Sequence, residues 1–104
     1  MYNKISVNKV GQVVPGFTSV RVDRKSPLGN PFFMHNETMR DEVCDRYIRY
    51  FNKEILKKGS PVHTEMVRLY HLGKEGRALS LQCHCSPRRC HGDTIKAFLD
   101  KHLA

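Results

Sequence analysis

Apolar residues recur along this chain at two spacings, and the switches between them mark out its elements. In residues 4–8 Ile5 and Val7 stand two apart, and in residues 18–22 Val20 and Val22 flank Arg21. Period two is strand geometry, so both segments are predicted as short strands, with Gly11, Pro15 and Gly16 marking a loop between them. From residue 37 to 57 the spacing changes. Val43, Cys44, Tyr47, Ile48, Phe51 and Ile55 fall on one stripe, which predicts an amphipathic helix. Glu37, Asp41 and Glu42 in its early turns and Lys57 and Lys58 at its end complement the helix dipole, and Gly59 stops it. Ser60-Pro61 then reads as N-cap and first helical residue of a second helix reaching about Leu72, with Val62, Met66, Leu69 and Tyr70 inward and Gly73 and Gly76 at its end.

Alternation returns in residues 77–85: Leu79, Leu81, Cys83 and Cys85 share one face, Ser80, Gln82 and His84 the other. Ile95, Phe98, Leu99 and Leu103 mark a last helix. Ser86 as its cap starts it at Pro87, whereas Gly92 would delay it to about Asp93; the earlier start is preferred here. The order β, β, α, α, β, α predicts an α/β fold, a small, largely parallel sheet of three or four strands packed with about three helices. The 104 residues suit one domain spanning 1–104. No apolar run approaches the ~20 residues needed to cross a bilayer, so no membrane partner is expected. Met1-Tyr2-Asn3-Lys4 lacks the apolar stretch of a secretory signal, which makes a cytoplasmic setting the expectation.

Charge adds a bias toward anionic partners. Eighteen basic and 10 acidic side chains leave a formal net charge of +8. That excess favours polyanions or phosphorylated small molecules, although it also serves solubility. It is unevenly spread: the balance is +4 over residues 1–36, +1 over 37–58 and +3 over 59–104. The surplus therefore flanks the central helix.

Candidate chemistry gathers in the run from Cys83 to Asp93, which joins the end of a strand to the start of a helix. In open α/β sheets ligands bind at such junctions, where free N–H groups and the positive helix end face outward. Arg88 and Arg89 there oppose the dipole's preference for acids, a cost that an anion nearby would offset. Cys85 at the strand end and Cys90 near the helix start are candidate nucleophiles, with His91 and Asp93 in acid–base roles. Cys83, Cys85, Cys90 and His91 are also zinc-ligand types, but their spacing lacks two well-separated knuckles and counts against a metal. Packing as small hydrophobes is the plain alternative for Cys44 and Cys83. With three of four cysteines in eight residues, reduced thiols are expected in place of a disulfide framework.

A second constellation is Ser26-Pro27-Leu28-Gly29-Asn30-Pro31-Phe32, whose prolines and glycine exclude regular structure. Arg24, Lys25, Ser26 and Asn30 offer donors, and Gly29 lets the backbone approach a ligand closely. At these two loops, through Ser26–Phe32 and the run Cys83-x-Cys85-x-Pro87-x-x-Cys90-His91-Gly92-Asp93, the chain resembles the domain-of-unknown-function 4326 family, small proteins of bacteriophages and bacteria. A weaker likeness ties the Pro-x-x-Cys-His segment to another uncharacterised family ending in Cys-His-Arg, where this chain has Gly92. The resemblance implies an α/β fold and an intracellular or phage-encoded setting, and supplies no activity.

Both loops follow strands, and the expectation that they share one sheet edge suggests a site for a phosphorylated ligand, a nucleotide or a nucleic-acid backbone. Arg24, Ser26, Arg88 and Arg89 would hold the anion, with Gly29, Asn30 and His91 shaping or orienting it; no cofactor or metal is expected. The alternatives are an enzyme acting on nucleotide derivatives through Cys85 or Cys90 with His91 and Asp93, and a phage-type protein that binds a host protein.

Overall fold

The sheet has its last strand in the middle. The computed structural model describes residues 4–86 and 88–104. In it β1 (Ile5–Lys9) and β2 (Phe17–Arg21) both pair in parallel with β3 (Ala78–Cys83), giving the order β1-β3-β2. The register sets Ile5 and Val7 beside Leu79 and Leu81 on one side, and Val20 beside Leu81 on the other. The helices are α1 (Arg40–Glu54), α2 (Pro61–Lys74) and α3 (Gly92–Leu103). A small parallel α/β sheet with three helices is therefore the architecture, and among the described residues it has three strands.

Flanking β3 in parallel forces the seven residues between β1 and β2 to return along the length of a strand. Seven extended residues reach about 24 Å, more than a five-residue strand requires. They cross the polar face of β3. The Gly11 N–H donates to Gln82 Oε1 at 3.2 Å, and Gln82 Nε2 donates to the Gln12 carbonyl at 2.7 Å. Ser80 Oγ donates to Asn8 Oδ1 at 2.8 Å. Ser80 and Gln82 are thus buried although polar, and β3 is enclosed on both faces as central parallel strands are.

On the apolar face Ile5, Val20, Leu79 and Leu81 join one buried cluster with Tyr47, Phe51, Met66, Leu69, Ile95 and Leu99 from the helices. Ser60 caps α2 as its sequence predicts, accepting the His63 N–H at 3.1 Å with Pro61 in the first turn. Gly73 admits Leu103 against the α2 backbone, since a Cβ there would collide with the leucine's side chain.

Three expected boundaries move. The helix expected over 37–57 is a single 3-10 turn at Glu37–Met39, capped by Asn36, followed by α1 ending at Glu54. The strand expected over 77–85 stops at Cys83, which releases Cys85 from the leucine face. The last helix begins at Gly92 and not near 87; Pro87 itself lies outside the described residues. The reason is a contact back to the end of β3. Cys90 turns inward to meet Cys83, and its N–H is taken by the Asp93 carboxylate at 3.2 Å, so the chain coils only after residue 91.

Candidate functional site

The ends of β2 and β3 lie side by side, and the two polar loops that leave them close over a cleft of about 450 Å³. Each loop is anchored to the core. Leu28 is fully buried, and its carbonyl accepts the Tyr47 hydroxyl proton at 2.8 Å. Ser26 holds a tight turn, its Oγ donating to the Asp23 carbonyl at 2.9 Å and accepting the Leu28 N–H at 3.2 Å. Asn30 Oδ1 accepts the Phe32 N–H at 2.9 Å. From the other loop, His91 reaches across the strand ends and its Nε2–H donates to the Val22 carbonyl. That bond requires a proton on Nε2, and burial lowers the His91 pKa against the smaller opposite effect of the Val22 carbonyl.

Asp23 is the group at the centre of the wall. It is 4% exposed. Its Oδ2 accepts from Arg21 and from His84 Nε2, the latter at 3.1 Å. The Arg21 guanidinium holds its pKa below the ordinary carboxylate value, so the group is an anion. Its Oδ1 is buried and makes no hydrogen bond among the described residues, although the backbone N–H of Lys25 lies near enough to the carboxylate to lower its pKa further. An ionised oxygen left in that state costs free energy unless something donates to it.

Cations frame the opening. The Arg24 guanidinium stands 4.2 Å over the ring of Phe33, which is 68% exposed, and donates to the Phe32 carbonyl at 3.1 Å. Lys25 shares the rim. Arg40 is tied to Glu37 by two bonds of 2.8 Å and to the Arg89 carbonyl at 2.9 Å, and it shares the cleft wall with Cys85. Glu37 and, behind it, Cys85 raise the Arg40 pKa; Arg40 and Arg88 draw the Glu37 carboxyl down to about 2.

Arg88 and Arg89 have their counter-charges within the chain. Arg88 pairs with Glu37, and Arg89 reaches Asp41 at 3.0 Å and Asp45 at 2.9 Å. Asp41, an acid of the first turn of α1, is thus also one of the anions facing the arginine pair.

Of the residues singled out by sequence, Arg24, Asn30, Cys85, Arg89, Cys90 and His91 line the cleft. Ser26 and Gly29 border a shallower hollow beside it, and Gly29's close neighbour is the chain itself: a Cβ there would lie 2.5 Å from the Arg24 Cα. Asp93 faces a separate groove between α1 and α3 and serves the turn before α3. Among the described residues no group of three or more His, Cys, Asp or Glu side chains is arranged to hold a metal ion. No helix among them is long and apolar enough to cross a membrane.

Comparison with protein families matches residues 5–101 to one described as Domain of unknown function (DUF4326). The chain belongs to this family. The match takes in all three strands and both loops of the cleft. No curated protein and no solved structure matches it. The DUF4326 description names no function, so the site of this DUF4326 chain is read from its own geometry. Sequence reasoning passed over Asp23, Phe33, Arg40 and His84. Asp23 and His84 follow strands at their carboxyl ends, and that position was the available signal. Nothing local marked Arg40, which reaches the cleft only because α1 packs beside it.

Proposed function

We propose that the cleft binds a nucleotide-sized phosphorylated ligand. The observation that carries this reading is the buried, ionised Asp23 with one oxygen unpartnered on the wall of a cleft rimmed by Arg24 and Lys25. A ligand that satisfies the site brings a donor for Asp23, a flat face for Phe33 and negative charge for the rim. A nucleotide has all three in an amino or hydroxyl group, a base and a phosphate. The volume falls in the range of about 300–1,000 Å³ of small-molecule sites. A concave pocket, with Arg88 and Arg89 already facing carboxylates of the 3-10 turn and α1, favours a mononucleotide over an extended nucleic-acid backbone. Such a ligand, and four cysteines kept as thiols, suit work in the cytoplasm of a bacterium or a phage-infected cell.

Calorimetric titration with nucleoside mono-, di- and triphosphates, with the parent nucleosides and inorganic phosphate as references, tests this. At least one nucleotide binds with saturation, and Asp23→Asn and Arg24→Gln each weaken it about tenfold, the effect of one charged hydrogen bond. Absence of saturable binding by every nucleotide contradicts the reading.

A second reading is favoured by one placement, that of the half-buried Cys85 thiol on the cleft wall with Arg40. Attack by this thiol on the bound ligand would make the protein a cysteine-dependent enzyme on the same class of ligand. It requires Cys85 to react with iodoacetamide at neutral pH well ahead of free cysteine; labelling no faster than free cysteine excludes it.

A further inference from the structure

Cys83 is the last residue of β3 and Cys90 stands two residues before α3, yet their Sγ atoms lie 2.7 Å apart. That is inside van der Waals contact for two sulfurs. Neither the ligand reading nor the Cys85 reading uses this pair. Cys83 is 1% and Cys90 3% exposed, and Cys90 forms part of the walls of both the cleft and the α1–α3 groove, which gives a small reagent two approaches. The local backbone favours negative charge on the sulfurs: the nearby N–H groups of Cys85 and Ser86 lower the Cys83 pKa, and that of Gly92 acts in the same direction on Cys90. A negative sulfur is stabilised by such donors as an anion is at a helix start. The Cys90 thiol proton, shared toward Cys83, acts in the same direction and holds Cys83 below the usual thiol range.

We propose that Cys83 and Cys90 form a dithiol oxidation site, closed to a disulfide by a hydroperoxide as oxidant. The first thiol releases its proton and, as thiolate, attacks one peroxide oxygen. The O–O bond breaks, that sulfur becomes a sulfenic acid, and the departing hydroxide takes up the proton as water. The second thiol attacks the sulfenic sulfur, the S–S bond forms, and a second water leaves. Two thiols thereby lose two electrons to one peroxide, as the ladder of cysteine oxidation allows. The bond ties the end of β3 to the entry of α3, the two segments that carry Cys85 and His91, so oxidation locks one wall of the cleft.

Treatment of the intact folded chain with hydrogen peroxide, followed by thiol counting and tryptic mapping, tests this. The free thiols fall from four to two. Residues 78–88, which hold Cys83 and Cys85, are recovered joined to residues 90–96, which hold Cys90, and fragmentation of the joined peptide puts the link on Cys83. A reductant restores four thiols. The same treatment in concentrated denaturant abolishes the preference for Cys83 over Cys85, because the fold supplies the proximity. Four unchanged thiols, a link placed on Cys85 or Cys44, or separate fragments carrying unlinked oxidised Cys83 or Cys90, would each overturn the proposal.

Discussion

The Asp23 carboxylate meets His84 Nε2 at 3.1 Å through Oδ2, while its buried Oδ1 makes no hydrogen bond among the described residues. The pair joins the residues that follow β2 and β3, so the half-used carboxylate stands at the seam of the sheet, where the parallel topology gathers its loops. Arg21 lowers its pKa most, and in the proposed reading its second oxygen is the acceptor for a donor on the ligand.

The arginines on the two sides of the cleft are expected to behave differently. Arg24 is exposed at the rim, whereas Arg88 and Arg89 face Glu37, Asp41 and Asp45. Arg24→Gln weakens nucleotide binding about tenfold, and Arg88→Gln with Arg89→Gln changes it less than threefold. Their loss costs stability instead, by about 0.2–1 kcal/mol for each exposed ion pair. Parallel binding and urea-unfolding curves on the variants separate the two effects.

His91 makes stability depend on pH. Burial sets its folded pKa below the unfolded value of 6.5, with Asp23, Arg24 and Asp93 as the charged groups around it. Below the unfolded value the unfolded chain binds more protons than the folded one, so stability is full above about pH 6.5 and falls as pH drops through the folded pKa. Urea midpoints measured at pH 7.5 and 5.5 show the loss. In His91→Gln the midpoint is lower at both pH values, and the difference between them shrinks.

Two glycines sit under contact of different hardness. A Cβ at Gly29 would lie 2.5 Å from the Arg24 Cα and 2.6 Å from the Asp23 carbonyl oxygen, atoms of the backbone that cannot turn aside. At Gly73 the obstacle is the side chain of Leu103, the last residue of α3. Gly29→Ala is therefore expected to cost about 3 kcal/mol and Gly73→Ala about 1 kcal/mol, within the range for overpacking. Thermal unfolding of both variants gives the order, and equal effects would show that the Ser26–Phe32 loop can shift.

How much of this was legible in sequence depends on the range of each interaction. Period-two runs around Val20 and Leu81, the stripe through Tyr47 and Phe51, and the Ser60-Pro61 cap are local signals, and they produced the elements and the parallel sheet. The meeting of the two loops followed from topology, because loops leaving neighbouring parallel strands share one edge. Partners distant in sequence were not legible. The Arg88-Arg89 pair reads as an anion trap until α1 brings Asp41 and Asp45 against it. Asp23 reads as an ordinary turn acid until Arg21 and His84 occupy one of its oxygens. Gln82 reads as an outward polar residue until the segment between β1 and β2 crosses over it. Even the start of α3 was set at a distance, by Cys90 turning in toward Cys83.

Tyr47 is the tie between α1 and the first loop. Tyr47→Phe keeps the ring and leaves the Leu28 carbonyl without its donor, a loss of about 1–3 kcal/mol for a buried acceptor. Amide hydrogen exchange in residues 26–32 rises in the variant by more than in α2, which does not share the contact. A uniform rise across the chain would assign Tyr47 a general role in the core only.

The most direct test of the ligand site is a titration of the isotope-labelled protein with nucleotides, followed amide by amide in nuclear magnetic resonance spectra. Saturating shifts confined to residues 23–25, 30–34 and 84–91 are the expected result, with the Asp23→Asn protein, still folded by its spectrum, requiring about tenfold more nucleotide. Shifts centred on the α1–α3 groove or on the face crossed by the β1–β2 segment, or no shifts with any nucleotide, would contradict a nucleotide site at the ends of β2 and β3.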